Sequence, residues 1–423
     1  MSFNNKDTRN LEGAVKFLLD SSNRINEAKP SRYWYPLSLA TYGTEEILEA
    51  LDSLCSFRTT MWEKTDSFER MFSQYQNCSD SVMVNSGSSA DLLLCYLLSN
   101  PLNPLVEPGS EILIAAVTWP TQIWSAMMAG YKVRLVDVDP NTLNIDLDDL
   151  EQKITPSTSV IFVVHVMGNP CDMCRINKLA NKHNLVIIED CCEALGAEWN
   201  GIKVGNFGIA ASYSFFFSHH MTTMEGGMVA CSNIHFAEQL RIMRAHGWVR
   251  NINPANYQLE NYDVDPRYAF VNWGFNLRPT DLQAGFGIHQ IQKLPEFNIQ
   301  RKKLAGLFFD FIDSQTFLSR PDLSPKASPN WFALPIMVSC EAPFSRADIV
   351  QFLESEGVET RPIIAGNIAK HPVSKLFSFI NEDTYPGADL IHSQGFYLGL
   401  SPFYSEDQIG RLTLCMKKFI SRY

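Results

Sequence analysis

The sequence predicts an α/β fold: a mainly parallel sheet of the seven-stranded type flanked by helices, followed by a smaller α+β domain. Seven short apolar runs carry the first part of this reading: Ser81–Val84, Glu111–Val117, Lys132–Val138, Ser159–Val166, Leu185–Ile188, Ala210–Phe216 and Gly227–Cys231. Helical patterns separate most of them, and strands this short and continuously apolar belong to a sheet covered on both faces. The second observation is a change of pattern near Gln290, after which a helical stretch and a Pro/Ser-rich segment precede scattered strands.

In chain order, residues 11–29 have the period of an amphipathic helix that stops before Pro30, and residues 44–56 form another, with Thr44 as its expected cap after Gly43. Ser81–Val84 runs into the turn Ser86-Gly87-Ser88-Ser89, and Ala90–Leu98 is again helical. Beyond Gln290 the pattern gives a helix through Leu294 to Ile312, a strand from Trp331 to Val338, a helix from Ser345 to Gly357, and strands near Thr360 and from Gly395 to Leu400. These elements divide the chain into a helical arm at 1–30, a large α/β domain at 31–289 and a small α+β domain at 290–423.

With 423 residues, of which 45% are hydrophobic and 19% charged, the chain can bury a core in each domain. A net charge of -11 with no basic stripe argues against a nucleic-acid partner. No stretch approaches the roughly 18 apolar residues of a membrane span, and the N-terminal residues lack the basic and apolar regions of a signal peptide, so a cytoplasmic protein is expected. Ten cysteines without the density of a disulfide scaffold suit a reducing compartment. Cys171 and Cys174 have metal-ligand spacing but no second pair, and no metal is expected.

Several residues could carry chemistry. The turn containing Gly87 and Ser88 lies between a strand end and a helix start, where aligned amides receive a phosphate; a plain helix-capping turn is the alternative. Asp190 closes an apolar strand, the place where ligand sites collect in parallel sheets, and could bond a protonated pyridine nitrogen or only cap the next helix. Trp119 could cover a flat heterocycle or be core, and Ser214 could add a hydroxyl to the phosphate or bond backbone. His219 and His220 stand on a loop between two strands, followed by Glu225-Gly226-Gly227, and no lysine occurs between Lys203 and Lys293.

These motifs, with Glu189–Gly196, Arg244–Asn251, Gly274–Pro279 and Arg361–Asn367, resemble the sugar-nucleotide branch of the fold-type I pyridoxal-phosphate superfamily, the DegT/DnrJ/EryC1/StrS family. The resemblance runs from about Tyr35 to the C-terminus, and it places His219 where the family's aminotransferases carry the lysine that holds the cofactor as a Schiff base. It implies pyridoxal or pyridoxamine 5'-phosphate held non-covalently, glutamate as amino donor and His219 as acid/base.

The implied reaction removes the carbon 3 hydroxyl of a nucleotide-linked 4-keto-6-deoxyhexose, with GDP-4-keto-6-deoxymannose as the expected substrate, in dideoxysugar biosynthesis of the colitose type that feeds O-antigen. A sugar aminotransferase or an inactive ligand-binding relative is the alternative. The resemblance adds Glu193 to the cofactor residues. It also implies a homodimer with shared active sites, in which His246, Arg250 and Asn276 reach the neighbouring subunit's cofactor or substrate, and it gives the sugar nucleotide to His220, Arg361 and Asn367. An iron–sulfur cluster is not expected, because the region from Arg244 to Asn276 has no cysteine.

Overall fold

The computed structural model describes residues 5–28, 32–249, 254–381 and 383–423. Twelve α-helices occur among them: α1 (Asn5–Ala28), α2 (Thr44–Cys55), α3 (Glu63–Gln76), α4 (Gly87–Leu98), α5 (Thr121–Met128), α6 (Leu147–Lys153), α7 (Met173–His183), α8 (Ile234–Arg244), α9 (Asp281–Ile312), α10 (Arg346–Ser355), α11 (Pro386–Gln394) and α12 (Glu406–Ile420). The strands are β1 (Asp80–Val84), β2 (Glu111–Ala115), β3 (Lys132–Val136), β4 (Thr158–Val164), β5 (Val186–Asp190), β6 (Glu198–Trp199), β7 (Ile202–Lys203), β8 (Ala210–Ser214), β9 (Gly227–Cys231), β10 (Leu318–Ser319), β11 (Ala327–Ser328), β12 (Leu334–Val338), β13 (Thr360–Pro362) and β14 (Gly395–Leu398).

The seven apolar runs become one sheet in the order β1-β9-β8-β5-β4-β2-β3. Parallel pairing joins β8, β5, β4, β2 and β3, while β9 is antiparallel to both β8 and β1. Every residue of β8 and β9 is buried, as expected of central strands covered by helices on both sides. Nine of the twelve residues of α4 are buried too, because this helix lies between the sheet and its neighbours α5 and α8 rather than facing solvent.

A second, antiparallel sheet has the order β10-β12-β14-β13, and short β6, β7 and β11 make a third. The boundary expected at Gln290 falls inside α9, which starts earlier than its apolar period suggested because Thr280 and Gln283 cap it reciprocally. Leu294 of α9 packs with Phe68 and Phe72 of α3 in one core, and Leu304, Phe308 and Ile312 belong to the core of the second sheet.

Two further expectations are corrected. The cap of α2 is Gly43, whose N–H donates to Glu46 Oε2 at 2.8 Å, and Thr44 is its first helical residue. The strand expected from Trp331 begins at Leu334, because the N–H groups of Asn330 and Phe332 bond the carbonyls of Gly168 and Met167 instead of a sheet neighbour. All ten cysteines are free; Cys171 Sγ lies 3.2 Å from the Val164 carbonyl and Cys174 Sγ 3.2 Å from Trp199 Nε1, so each is occupied locally.

Candidate active site

Five strands end on one cavity of about 570 Å³. Ser86, Gly87 and Ser88 follow β1, Trp119 follows β2, Val164 ends β4, Asp190 ends β5 and Ser214 ends β8, so the opening lies at the C-terminal edge of the parallel strands. Phe332, which precedes β12, with Arg361 of β13 and Tyr397 of β14, completes the lining.

The first wall is a helix start. Ser86 caps α4 with its Oγ accepting from the Ser89 N–H at 3.1 Å, and Ser88 Oγ lies 3.3 Å from Thr121 Oγ1. Gly87 is required by close approach: a Cβ there would lie 2.6 Å from Ser214 Cβ. Gly227 has a similar constraint, since its Cβ would meet the Ser86 carbonyl at 2.3 Å. Two glycines therefore allow the α4 amides, the Ser88 hydroxyl and the Ser214 hydroxyl to converge, an anion cradle made of backbone and short side chains.

At the cavity floor, Asp190 accepts from the Cys192 N–H at 2.8 Å and from Gln122 Nε2, and Gln122 Oε1 in turn accepts from Thr118 Oγ1 at 2.8 Å. Burial raises the Asp190 carboxyl above its usual range, and the Cys192 hydrogen bonds and the His165 ring oppose that rise. Trp119 is 57% exposed and lines the cavity, so it is available to a flat ligand instead of being spent in the core. Glu193 accepts from the Met167 N–H at 2.8 Å, and burial pushes its carboxyl up to about 8, which leaves it protonated at neutral pH.

His219 sits on a loop closed at its base, where the Phe215 N–H bonds the Gly226 carbonyl and the Thr223 N–H bonds the Phe215 carbonyl. Its ring packs on Phe332, with centroids 5.1 Å apart, and its Nδ1 is buried with no hydrogen-bond partner among the described residues. Desolvation, followed by the Arg301 guanidinium, holds the imidazole down to about 3. The ring is therefore neutral at physiological pH, a sharper condition than the near-neutral value of a free histidine. Among the described residues no lysine lines the cavity.

The other expected site residues divide. Arg361 lines the cavity, steadied by Glu359 Oε1 at 2.8 Å. His220 does not: it is fully buried, with Nε2 on the Asn330 carbonyl at 3.0 Å, because successive loop residues point to opposite sides. Asn367 is likewise spent elsewhere, its Oδ1 accepting from the Ala369 N–H and its Nδ2 donating to Asp389 Oδ1 at 2.7 Å. His246 and Asn276 are exposed and absent from this cavity; Asn276 lines a separate groove with Arg241, Arg244 and Trp248. Arg250 lies outside the described residues. Gln122, Asp91, Phe332 and Tyr397 line the cavity but were not singled out from sequence.

Known proteins are similar to this chain in sequence and fold. The chain is 34% identical over 388 residues to the GDP-4-keto-6-deoxy-D-mannose 3-dehydratase of Yersinia pseudotuberculosis, covering 91% of this chain and 98% of that protein. The fold is similar to that of the Escherichia coli GDP-4-keto-6-deoxy-D-mannose-3-dehydratase with bound hydrated PLP, with a TM-score of 0.85, 31% identity and coverage of 91% and 99% of the two chains. It is also similar to a GDP-4-keto-6-deoxymannose-3-dehydratase with a trapped PLP-glutamate geminal diamine, with a TM-score of 0.83, 30% identity and coverage of 90% and 100%. With residues 41–417 matching its pattern, the chain belongs to the DegT/DnrJ/EryC1/StrS aminotransferase family.

Proposed function

We propose that this chain is a 3-dehydratase of a nucleotide-linked 4-keto-6-deoxyhexose, with GDP-4-keto-6-deoxymannose as first candidate, and that it uses pyridoxamine or pyridoxal phosphate without a covalent lysine anchor. One observation carries the reading: a neutral histidine, His219, presented to a cavity that no lysine lines among the described residues. The cofactor fits what is there. The close approach of Gly87 to Ser214, where a Cβ would lie 2.6 Å from Ser214 Cβ, sets the start of α4 beside the Ser214 hydroxyl as a phosphate site needs, and the unpartnered Nδ1 of His219 leaves the ring's tautomer unfixed by the protein.

When bound, pyridoxamine phosphate supplies an amine for the 4-keto carbon and an electron-withdrawing ring that acidifies the carbon beside it. The protein does the rest. The α4 amides with Ser88 and Ser214 would hold the phosphate, Trp119 would cover the ring, and Asp190 would accept from its protonated nitrogen. Glu193, protonated at neutral pH, can donate a hydrogen bond to the cofactor's oxygen. His219, neutral before reaction, takes a proton at a ring nitrogen and returns one to the hydroxyl that leaves carbon 3. Arg361 and Tyr397 are left for the sugar nucleotide. In a homodimer, His246, Arg250 and Asn276 would serve the neighbouring copy's site, which accounts for the place of His246 and Asn276 outside the cavity of their own chain.

Given pyridoxamine phosphate, glutamate and GDP-4-keto-6-deoxymannose, the purified protein should release ammonia and a sugar lacking its carbon 3 oxygen. A 4-amino sugar as the product would sink the dehydratase reading in favour of the aminotransferase. A small panel of CDP and dTDP sugars in the same assay assigns the nucleotide. Separately, Gly87→Ala should lower Tm and weaken pyridoxal phosphate binding, because the added methyl overpacks against Ser214 at a cost of about 1–3 kcal/mol. Unchanged affinity in that variant would remove the cradle from the cofactor site.

A further inference from the structure

Asp190 is not the only carboxylate on the cavity floor. Asp91, on the second turn of α4, lines the same cavity and is 2% exposed. The two are linked through Ser212: its backbone lies opposite Asp190 in the parallel register of β5 and β8, and its hydroxyl donates to Asp91 Oδ1 at 2.6 Å. Paired strands run about 4.8 Å apart, so Ser212 stands beside both acids, and the Cys192 thiol feels the charge of each.

Neither acid has a cation. No ion pair among the described residues includes Asp91 or Asp190, and the arginines of α8, which also packs on α4, are committed to Glu69 and Asp80. The titratable groups facing the pair are Cys95 from α4 itself, Cys191 and Cys192 after β5, His165 after β4 and Glu193; the thiol of Cys231 in β9 stands two residues away from Val229, the partner of Ser212, and α5 contributes no titratable side chain.

Two buried carboxylates in one place, with no lysine or arginine paired to either among the described residues, do not both stay ionised at neutral pH. Their hydrogen bonds decide which gives way. Asp190 accepts two N–H donors, from Cys192 and Gln122, and N–H donors favour a charged acceptor. Asp91 has one hydroxyl partner, and a hydroxyl can turn to accept from a protonated acid as readily as it donates to an ionised one.

We propose that Asp91 and Asp190 hold a single proton between them, with Asp91 as the neutral acid, so that the floor offers one negative charge to one protonated ring nitrogen. Asp91 is thereby a positioning residue that keeps the charge on Asp190. Burial first, and Asp190 second, raise the Asp91 carboxyl well above its usual range, and burial raises Asp190 too against the pull of its Cys192 hydrogen bonds. The inference rests on the cofactor reading for its purpose but not for its test.

The test is carboxyl 13C NMR of the ligand-free full chain labelled at aspartate, which leaves the protonated Glu193 silent. One aspartate carboxyl should remain protonated at neutral pH, vanish from the spectrum of Asp91→Asn, and titrate about one pH unit or more lower in Asp190→Asn, where the neighbouring charge is gone. An ionised Asp91 at neutral pH, or a midpoint unmoved by Asp190→Asn, overturns the shared proton. Pyridoxal phosphate titrations of the two variants supply the second readout: Asp190→Asn should lose about tenfold or more beyond Asp91→Asn, because only the former removes a charge. Equal losses would mean that Asp91 acts as a second anion and would overturn the assignment. A chain that bound no cofactor at all would defeat the cofactor reading, while the NMR titration would still decide the proton.

Discussion

Replacing His219 by asparagine is expected to lower kcat by about 10³-fold or more while the cofactor still binds. Asparagine approximates the size of the ring and keeps the loop packed against Phe332, but it has no nitrogen that can gain and lose a proton. The wild-type imidazole is suited to the first step because desolvation and Arg301 keep it neutral, so at neutral pH all of it is in the base form. Its basicity rises only when a negative charge develops nearby. Cofactor absorbance on the purified variant reads binding, and steady-state ammonia release reads turnover. A variant that turned over at the wild-type rate would strip His219 of its role; a variant that lost both would point to a collapsed loop.

Asp190→Asn is expected to weaken cofactor binding by about 10²–10³-fold, the size of a buried charge pair losing one partner, about 3–5 kcal/mol. Two N–H donors, Cys192 N and Gln122 Nε2, point at the two carboxylate oxygens. An amide offers one acceptor and one donor, so one of those N–H groups would face an NH₂ group, and the ring nitrogen would lose its counter-charge. Equilibrium titration with pyridoxal phosphate measures the loss. Affinity within a few-fold of wild type would mean that the ring nitrogen is held by something else.

Much of this site was legible in the chain because its groups stand at strand ends, where periodic apolar runs stop and polar residues begin. Asp190, Trp119, Ser214 and the Gly87–Ser88 turn all follow that rule, and the structure brings them to one cavity with His219. Gln122 and Asp91 escaped because each lies inside a helix, where a lone polar residue among apolar ones reads as a surface position. Their burial is decided by what packs on α4 and α5, which no local pattern records. His220 and Asn367 failed for the opposite reason: proximity to a motif put them in the site, while their hydrogen-bonding capacity was already taken by Asn330, Ala369 and Asp389. Phe332 and Tyr397 lie far along the chain from the strand ends, and only tertiary folding brings them to the cavity.

The helix α9 contributes buried side chains to both cores. It is a shared spine, while Ile363 and Ile364, next to Arg361, pack into the same core as Ile187 and Ile188 of β5. A substitution in the middle of α9 therefore loosens two cores at once, and neither half of the molecule has a private route to unfolding.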